Sequence, residues 1–181
     1  MTIAAFIVDF EARRDAQGRI QVYKLPAGDG GGEYEVAGIN NKYHPDEAAS
    51  LRHLVMSGRF KDAEQQAQVY IATFTDAVVT WCPITAVEAY LRDCAFNRGA
   101  GGAARIFQRA LGVEPDGRVG PITLGAASKL TDKGAKKFLT ALREAREYHE
   151  RHFVGRDESS KFWKGLVNRW NKALEMAASF L

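Results

Sequence analysis

The sequence predicts a mainly helical protein that carries one small β-hairpin. Apolar residues recur at helical spacing from Pro45 onward, whereas alternation of apolar and polar residues is confined to residues 19–23 and 34–37. An isolated hairpin is marginally stable in water and needs packing support. We therefore expect an α+β arrangement in which a helical bundle surrounds a long central helix, and in which the hairpin forms one wall of a cleft.

The first helix is short and ends at a carboxylate. Its apolar residues fall at helical spacing and follow Thr2, a suitable N-cap: Ile3, Phe6, Ile7 and Phe10. Glu11 comes next, at the margin of the buried face. Partial desolvation and the negative end of the helix dipole both favour the protonated form of a carboxyl at this position, as a general acid requires. The alternative is a solvated glutamate at a frayed helix end.

A glycine-rich tip joins the two runs of the hairpin and carries Asp29. Glycines there allow positive φ angles and close approach of a ligand to the backbone. A phosphate-binding loop is excluded because no Lys-Ser or Lys-Thr pair follows the glycines. Glycoside hydrolysis commonly uses two carboxyl groups, so Asp29 is the preferred partner of Glu11, with Asp15 and Glu33 as weaker alternatives.

The remainder of the chain is predicted as helices. Pro45 begins a helix that reaches Met56, and Phe60–Trp81 forms one continuous apolar stripe, which predicts the long central helix. A glycine-rich break is expected over residues 96–102. Further helices are predicted at about 84–95, around 106–111, at 122–130, from 132 to about 153, and from Ser159 or Ser160 to about 177.

Composition and side-chain chemistry exclude several classes of function. A formal charge of +3 gives only a mild preference for an acidic polymer, and the basic residues alternate with acids, so nucleic-acid binding is not expected. Cys82 and Cys94 are predicted to be buried free thiols. His149 and His152 are flanked by Glu147 and Glu150, but no ligand cluster elsewhere completes a coordination shell. We therefore predict a solvated helix face rather than a metal site, and no cofactor.

The sequence predicts neither a signal peptide nor a membrane-spanning segment. The first ten residues, MTIAAFIVDF, have no basic start and no small-residue cleavage site, so no signal peptide is expected. The longest apolar stretch, Ala77–Leu91, is interrupted by Pro83 and Glu88 and is not expected to span a membrane. We expect a monomer that is synthesised in the cytoplasm.

Several motifs, in this order, resemble the lysozyme-like N-acetylmuramidases of glycoside hydrolase family 108. The family has Glu-Gly-Gly, Asp-Pro-Gly-Gly, Gly-Ile-Thr, a Phe-Asp-Xaa-Ala-Val-Asn-Xaa-Gly stretch, a peptidoglycan-binding continuation and a terminal Gly-Trp-Xaa-Xaa-Arg helix. This chain offers Glu11, Asp29-Gly30-Gly31-Gly32, Gly38-Ile39-Asn40, Leu91–Gly99, Gln108–Gly112 with Asp116–Thr123, and Phe162–Arg169. The resemblance covers nearly the whole chain.

The resemblance implies a lysozyme-like catalytic part over residues 1–98 and a helical peptidoglycan-binding part over residues 99–181, packed as one globule. It implies hydrolysis of the β-1,4 bond between N-acetylmuramic acid and N-acetylglucosamine, with a peptidoglycan strand as partner. Glu11 would be the general acid, and Asp29 would orient water or stabilise positive charge. The expected substrate contacts are Tyr34, Asn40, Asn97 and Arg98.

The chain departs from the family pattern next to the proposed acid. Ala12 and Arg13 replace the two glycines after Glu11, Asn40 replaces the threonine, and no proline follows Asp29. These departures favour an alternative function: a peptidoglycan-binding or secretion-accessory protein whose hydrolysis is weakened or lost. In either case we expect action on the cell wall or in the periplasm, after holin-type or other signal-independent export.

Overall fold

The fold is mainly helical with one small antiparallel sheet, which confirms the predicted class. The computed structural model describes residues 2–26 and 31–181. Within those residues there are seven α-helices and three short strands. The chain divides into two compact units, Met1–Thr73 and Phe74–Leu181.

The first unit contains the hairpin. Its helices and strands are α1 (Ile3–Glu11), β1 (Tyr23–Lys24), β2 (Tyr34–Val36), β3 (Ile39–Asn40), α2 (Pro45–Met56) and α3 (Phe60–Phe74). The strands pair antiparallel in the order β1-β2-β3, so the predicted two-stranded hairpin gains a third strand. Thr2 caps α1 as predicted, since its Oγ1 accepts a hydrogen bond from the Ala5 amide at 3.2 Å.

The core of the first unit lies between the sheet and the helices. One face of β2 and β3 contacts α2. The large fully buried side chains of this unit are Ile7, Ile20, Ile39, Leu51 and Ile71. Because α1 contributes Ile7 to this core, the orientation of its last turn is fixed by packing.

The second unit is built around one long helix. It contains a 3₁₀-helix (Asp76–Thr80), α4 (Thr85–Leu111), α5 (Pro121–Ala127), α6 (Asp132–His149), a π-helix (Glu150–Val154) and α7 (Trp163–Ala178). Helix α4 packs against both α6 and α7. The large fully buried side chains at these contacts are Tyr90, Leu91, Ile106, Phe107, Leu139, Leu142 and Trp170.

Two predicted helix boundaries are wrong. The stripe from Phe60 to Trp81 is not one helix, because α3 ends at Phe74 and a 3₁₀-helix follows, so the long central helix is α4 instead. The expected break over residues 96–102 is only a kink. Gly99 takes φ 68° and ψ 169° there, and helical structure continues on both sides to Leu111.

Three expectations about individual residues have outcomes here. Cys82 and Cys94 are buried free thiols, as predicted. His149 is not on a solvated face: it is buried, and its ring stacks on Phe153 with centroids 5.1 Å apart. No helix in the described part of the chain has the length and apolar character needed to cross a membrane.

Candidate functional site

The carboxyl group of Glu11 lies against the turn between β2 and β3. Glu11 is the last residue of α1 and is half-buried. A Cβ placed on Gly38 would lie 2.8 Å from Cδ and 2.9 Å from Oε2 of Glu11, which is closer than real Cβ atoms come. The turn can therefore approach this carboxyl only because residue 38 has no side chain.

The turn itself has the mirror-image geometry of tight hairpins. Ala37 has φ 50° and Gly38 has φ 74°, between the paired residues Val36 and Ile39. Positive φ at both central residues defines a type I′ turn, which matches the twist of the flanking strands. For Ala37, which is buried, this conformation costs about 1–2 kcal/mol. The strained backbone is thus located beside the Glu11 carboxyl, as is common at functional sites.

Arg14 secures the chain just after α1. Its guanidinium donates hydrogen bonds to Asp9 Oδ1 at 2.6 Å, to the Gly18 carbonyl at 2.9 Å and to the Glu64 carboxylate on α3. These three contacts tie the end of α1 to the turn at residues 15–19 and to α3. The backbone that carries Glu11 is therefore held on both sides of the carboxyl.

The polar face of the sheet follows from the strand register. Glu35 pairs with Tyr23 on one side and with Asn40 on the other, and directly opposed residues project to the same face. All three side chains are half-buried. The guanidinium of Arg13 lies over the Tyr23 ring, 4.9 Å from its centroid. Tyr23 and Glu35 were missed as site candidates, and alternation along β2 is the signal that identifies their face.

The Asn40 side chain forms hydrogen bonds to the backbone on both sides of the hairpin. Its Nδ2 donates to the Gly31 carbonyl at 3.1 Å, and its Oδ1 accepts from the Lys42 amide at 2.8 Å. A Cβ on Gly32 would lie 2.4 Å from Asn40 Oδ1. The side chain therefore connects Gly31, three residues before β2, to the end of β3.

Tyr34 lies on the opposite face of the sheet from Asn40, because it neighbours Glu35 on β2. Its ring contacts the Arg52 guanidinium, 4.9 Å from the centroid. It lines a cavity of about 270 Å³ with Val22, Lys24, Glu33, Arg52 and Met56. The two predicted contacts are thus not brought together on one surface of the hairpin.

The candidate partner carboxylates have different outcomes. Asp29 lies outside the described residues. Asp15 is engaged in a turn, where it accepts hydrogen bonds from the Gln17 amide at 3.0 Å and from Arg19 at 2.8 and 2.7 Å. Burial raises the pKa of Asp15, but the hydrogen bonds from Arg19 and Gln17 outweigh it and hold the pKa below its usual value. Asp15 therefore has a structural role.

The predicted contacts Asn97 and Arg98 belong to the second unit. Arg98 donates to both carboxylate oxygens of Glu150, at 2.8 and 2.7 Å through its terminal nitrogen, and Asn97 Oδ1 accepts from Arg146 at 3.2 Å. Arg146 and Arg169 also bind the fully buried Asp93. Burial raises the pKa of Asp93, but Arg169 and Arg146 outweigh it and lower the pKa. In the second unit these side chains connect α4 to the helices that follow.

Metal ligation finds no support in residues 2–26 and 31–181. No group of three or more His, Cys, Asp or Glu side chains is placed there to hold a metal ion. His149 is the last residue of α6, and His152 lies three positions later in the π-helix, where its ring contacts Tyr148 with centroids 4.0 Å apart.

Comparison with known proteins connects part of this chain with peptidoglycan. Residues 102–171 match a family model described as "Predicted Peptidoglycan domain". The chain is similar to a solved structure titled "Structure of Brucella abortus SagA", with a TM-score of 0.65 and 20% sequence identity over 96% of this chain and 90% of that one. At this identity the likeness shows the fold alone. No curated protein sequence matches. The family-model match over residues 102–171 is therefore the finding that supports a peptidoglycan-associated protein.

Proposed function

We propose that the protein is a lysozyme-type N-acetylmuramidase that cleaves the β-1,4 bond between N-acetylmuramic acid and N-acetylglucosamine. The observation that supports this most is the Glu11 carboxyl, which lies at the end of α1 against the glycine turn of the hairpin. The peptidoglycan-domain match of residues 102–171 supports the substrate class. The order of motifs similar to glycoside hydrolase family 108 supports the reaction.

In the proposed reaction, Glu11 donates a proton to the glycosidic oxygen as the bond to the anomeric carbon breaks. Glu11 is half-buried, which limits competing contact with water, and Gly38 allows the turn to pack against its carboxyl. The departing sugar takes the proton and keeps the former glycosidic oxygen as a hydroxyl. Water adds to the anomeric carbon and releases one proton to the second carboxylate or to solvent. Glu11 is then an ionised carboxylate that must be protonated again before the next cycle.

A second group is needed to orient that water or to stabilise charge at the anomeric carbon. Asp29 on the hairpin tip remains our proposal for this role, and Glu35 on the polar face of the sheet is a second candidate. If the carboxyl that acts lies about 5 Å from Glu11 the enzyme retains configuration, and if it lies about 6.5–9.5 Å away the enzyme inverts it. The polar face, with Tyr23 and Asn40, is the proposed sugar-binding wall.

The test is release of soluble muropeptides from purified peptidoglycan. Glu11→Gln keeps the shape of the side chain but removes the proton donor, so we expect release to fall about 10²–10⁴-fold. Glu175→Gln changes an exposed carboxylate on α7 and is the matched control, with release equal to the unaltered protein. Undiminished release by Glu11→Gln would refute the assignment.

A second function, peptidoglycan binding without hydrolysis, is favoured by the position of Arg13. This residue stands where the similar family has a glycine, and its guanidinium lies over Tyr23 on the proposed sugar-binding face. A side chain there narrows the approach to Glu11. Binding of the protein to insoluble peptidoglycan without formation of new reducing ends would favour this function, and Arg13→Gly would then be expected to restore cleavage.

A further inference from the structure

The turn that joins the π-helix to α7 presents aromatic rings and cations together. Phe162 is 40% exposed, and two cations lie over its ring: Arg156 at 5.2 Å and Lys161 at 4.7 Å from the centroid. Next to it, Arg151 lies 4.3 Å from the centroid of the Trp163 ring. We call these five residues the Phe162 patch. Phe153 and Val154, on the preceding π-helix, are also exposed.

The charge of this segment is positive. Residues 151–164 contain four cations (Arg151, Arg156, Lys161 and Lys164) and two carboxylates (Asp157 and Glu158). Glu158 accepts from Arg151 at 2.7 Å, and Asp157 accepts from the Ser159 amide at 2.9 Å. Arg151 is also paired with Glu147, and Arg156 is paired with Glu150. The positive charge of the segment therefore comes from Lys161 and Lys164, which are both exposed.

The aromatic side chain of Phe162 lies partly in water. A large apolar side chain left partly in water forgoes about 25 cal/mol for each Å² that could be buried, and exposed apolar clusters commonly mark interaction sites. Trp163 is also supported from behind, because its ring meets Trp170 edge-on with centroids 5.4 Å apart. The Trp163 ring of the patch is therefore held in place by its contact with Trp170.

A cavity in the second unit is a weaker candidate for binding. It has a volume of about 240 Å³ and is lined in part by Gln108, Asp116 and Thr123. The Gln108 amide nitrogen donates to Asp116 at 2.7 Å, to the Arg118 carbonyl at 2.9 Å and to Thr123 at 3.1 Å, while its oxygen accepts from the Gly117 amide at 2.9 Å. Its polar atoms are therefore used to hold the loop.

We propose that the Phe162 patch binds the peptidoglycan strand, with Phe162 against an apolar sugar face and Lys161 paired with a carboxylate of the stem peptide. The inference rests on the proposed peptidoglycan-directed function and adds the place of binding. Two observations carry it: the whole patch lies inside the 102–171 segment that matches the peptidoglycan-domain model, and the exposed Lys161 and Lys164 complement an acidic polymer. Cations held over an exposed ring are positioned to bind an anion beside an apolar surface.

The experiment measures cosedimentation of the full chain with insoluble peptidoglycan, at several salt concentrations. Phe162→Ala and Lys161→Gln are each expected to weaken binding roughly tenfold, the size typical for loss of one anchor residue. The effect of Lys161→Gln should shrink at high salt because charge pairing is screened. Val69→Ala and Lys172→Gln, which alter an exposed apolar side chain and an exposed cation elsewhere, are the matched controls and should bind as the unaltered protein does.

Two further arms separate the possible ligands and the two proposals. Insoluble chitin offers the sugar without carboxylates, so Lys161→Gln should not weaken binding to it, whereas Phe162→Ala should. Vesicles of phosphatidylglycerol and phosphatidylethanolamine test a membrane surface, and patch-dependent binding to vesicles instead of peptidoglycan would overturn the proposal. Equal binding of peptidoglycan by both patch variants and the unaltered protein would also overturn it. Muropeptide release is measured separately from binding. If the patch variants bind peptidoglycan normally, the assignment of Glu11 is unaffected, and if Glu11→Gln still cleaves, the proposal for the patch is unaffected.

Discussion

Gly38→Ala tests whether the hairpin turn positions the Glu11 carboxyl. The substitution adds a Cβ 2.8 Å from Cδ of Glu11, so the carboxyl or the turn must move. It also places alanine at φ 74°, which costs about 1–2 kcal/mol. Restriction of the unfolded chain returns about 0.4–1 kcal/mol, so the net loss of stability is about 1 kcal/mol.

Gly58→Ala is the matched control for this prediction. Gly58 has φ 73°, in the same unit, but nothing lies within 4 Å of the added Cβ. Both variants should therefore share the cost of alanine at positive φ, and each kcal/mol corresponds to about 2–4 °C in Tm in a chain of this size. Gly38→Ala should lose at least as much stability as Gly58→Ala, because its Cβ must also displace Glu11. Only Gly38→Ala should also lose activity, by about 10²-fold, because displacement of a catalytic group by about 1 Å has effects of that order.

The assay combines thermal unfolding, followed by circular dichroism, with muropeptide release well below the Tm of both variants. Release by Gly38→Ala equal to release by Gly58→Ala would refute the reasoning, because the contact with Glu11 would then have no consequence. A large loss in both variants would show that strain, and not the position of the carboxyl, limits activity.

Three further predictions concern stability. Asp93→Asn leaves Arg146 and Arg169 without their buried carboxylate and should cost about 3–5 kcal/mol at pH 7 by urea unfolding. Because the folded-state pKa of Asp93 is lowered, its contribution to stability is present above the unfolded pKa of about 4 and is lost as the pH falls below that value. The variant should therefore lose less stability below pH 4 than the unaltered protein, and a parallel pH dependence of the two proteins would contradict this. Gln108→Ala removes four hydrogen bonds in the Asp116–Thr123 loop and should cost about 2–3 kcal/mol, measured by urea unfolding, with no cost if the loop is held by other contacts. Thr2→Ala removes the α1 cap and should cost about 1 kcal/mol by the same measurement, while Thr2→Ser should restore most of it.

Local sequence patterns predicted the elements that depend on neighbouring residues. Thr2 and the spacing of Ile3, Phe6 and Ile7 were enough to place α1, because capping and helix periodicity act within one or two turns. The same reasoning failed at Phe74. The apolar periodicity continues through the 3₁₀-helix because apolar side chains there still pack into a core, although the backbone hydrogen-bonding pattern has changed. A repeat of 3.0 residues per turn and one of 3.6 residues per turn place side chains almost alike over only five residues, so the sequence does not distinguish them.

The candidate site depends on contacts that no local pattern encodes. Glu11 was identified from its place at a helix end, but its contact with Gly38 spans 27 positions and requires the type I′ turn at Ala37. Alanine is an unusual residue for that turn, so its sequence gave no turn signal. Arg98 illustrates the same limit, because its buried partner Glu150 lies 52 positions later in the sequence. The guanidinium that the motif suggested for substrate contact is instead bound to this carboxylate.

The most direct test of the central claim is a crystal structure of the Glu11→Gln variant with a bound peptidoglycan oligosaccharide. Our account predicts a glycosidic oxygen within about 2.6–3.2 Å of the side chain at position 11, the reach of a general acid. It also predicts that a sugar lies against the face formed by Tyr23, Glu35 and Asn40. An oligosaccharide bound away from position 11, or a glycosidic bond kept from it by Arg13, would contradict catalysis by Glu11.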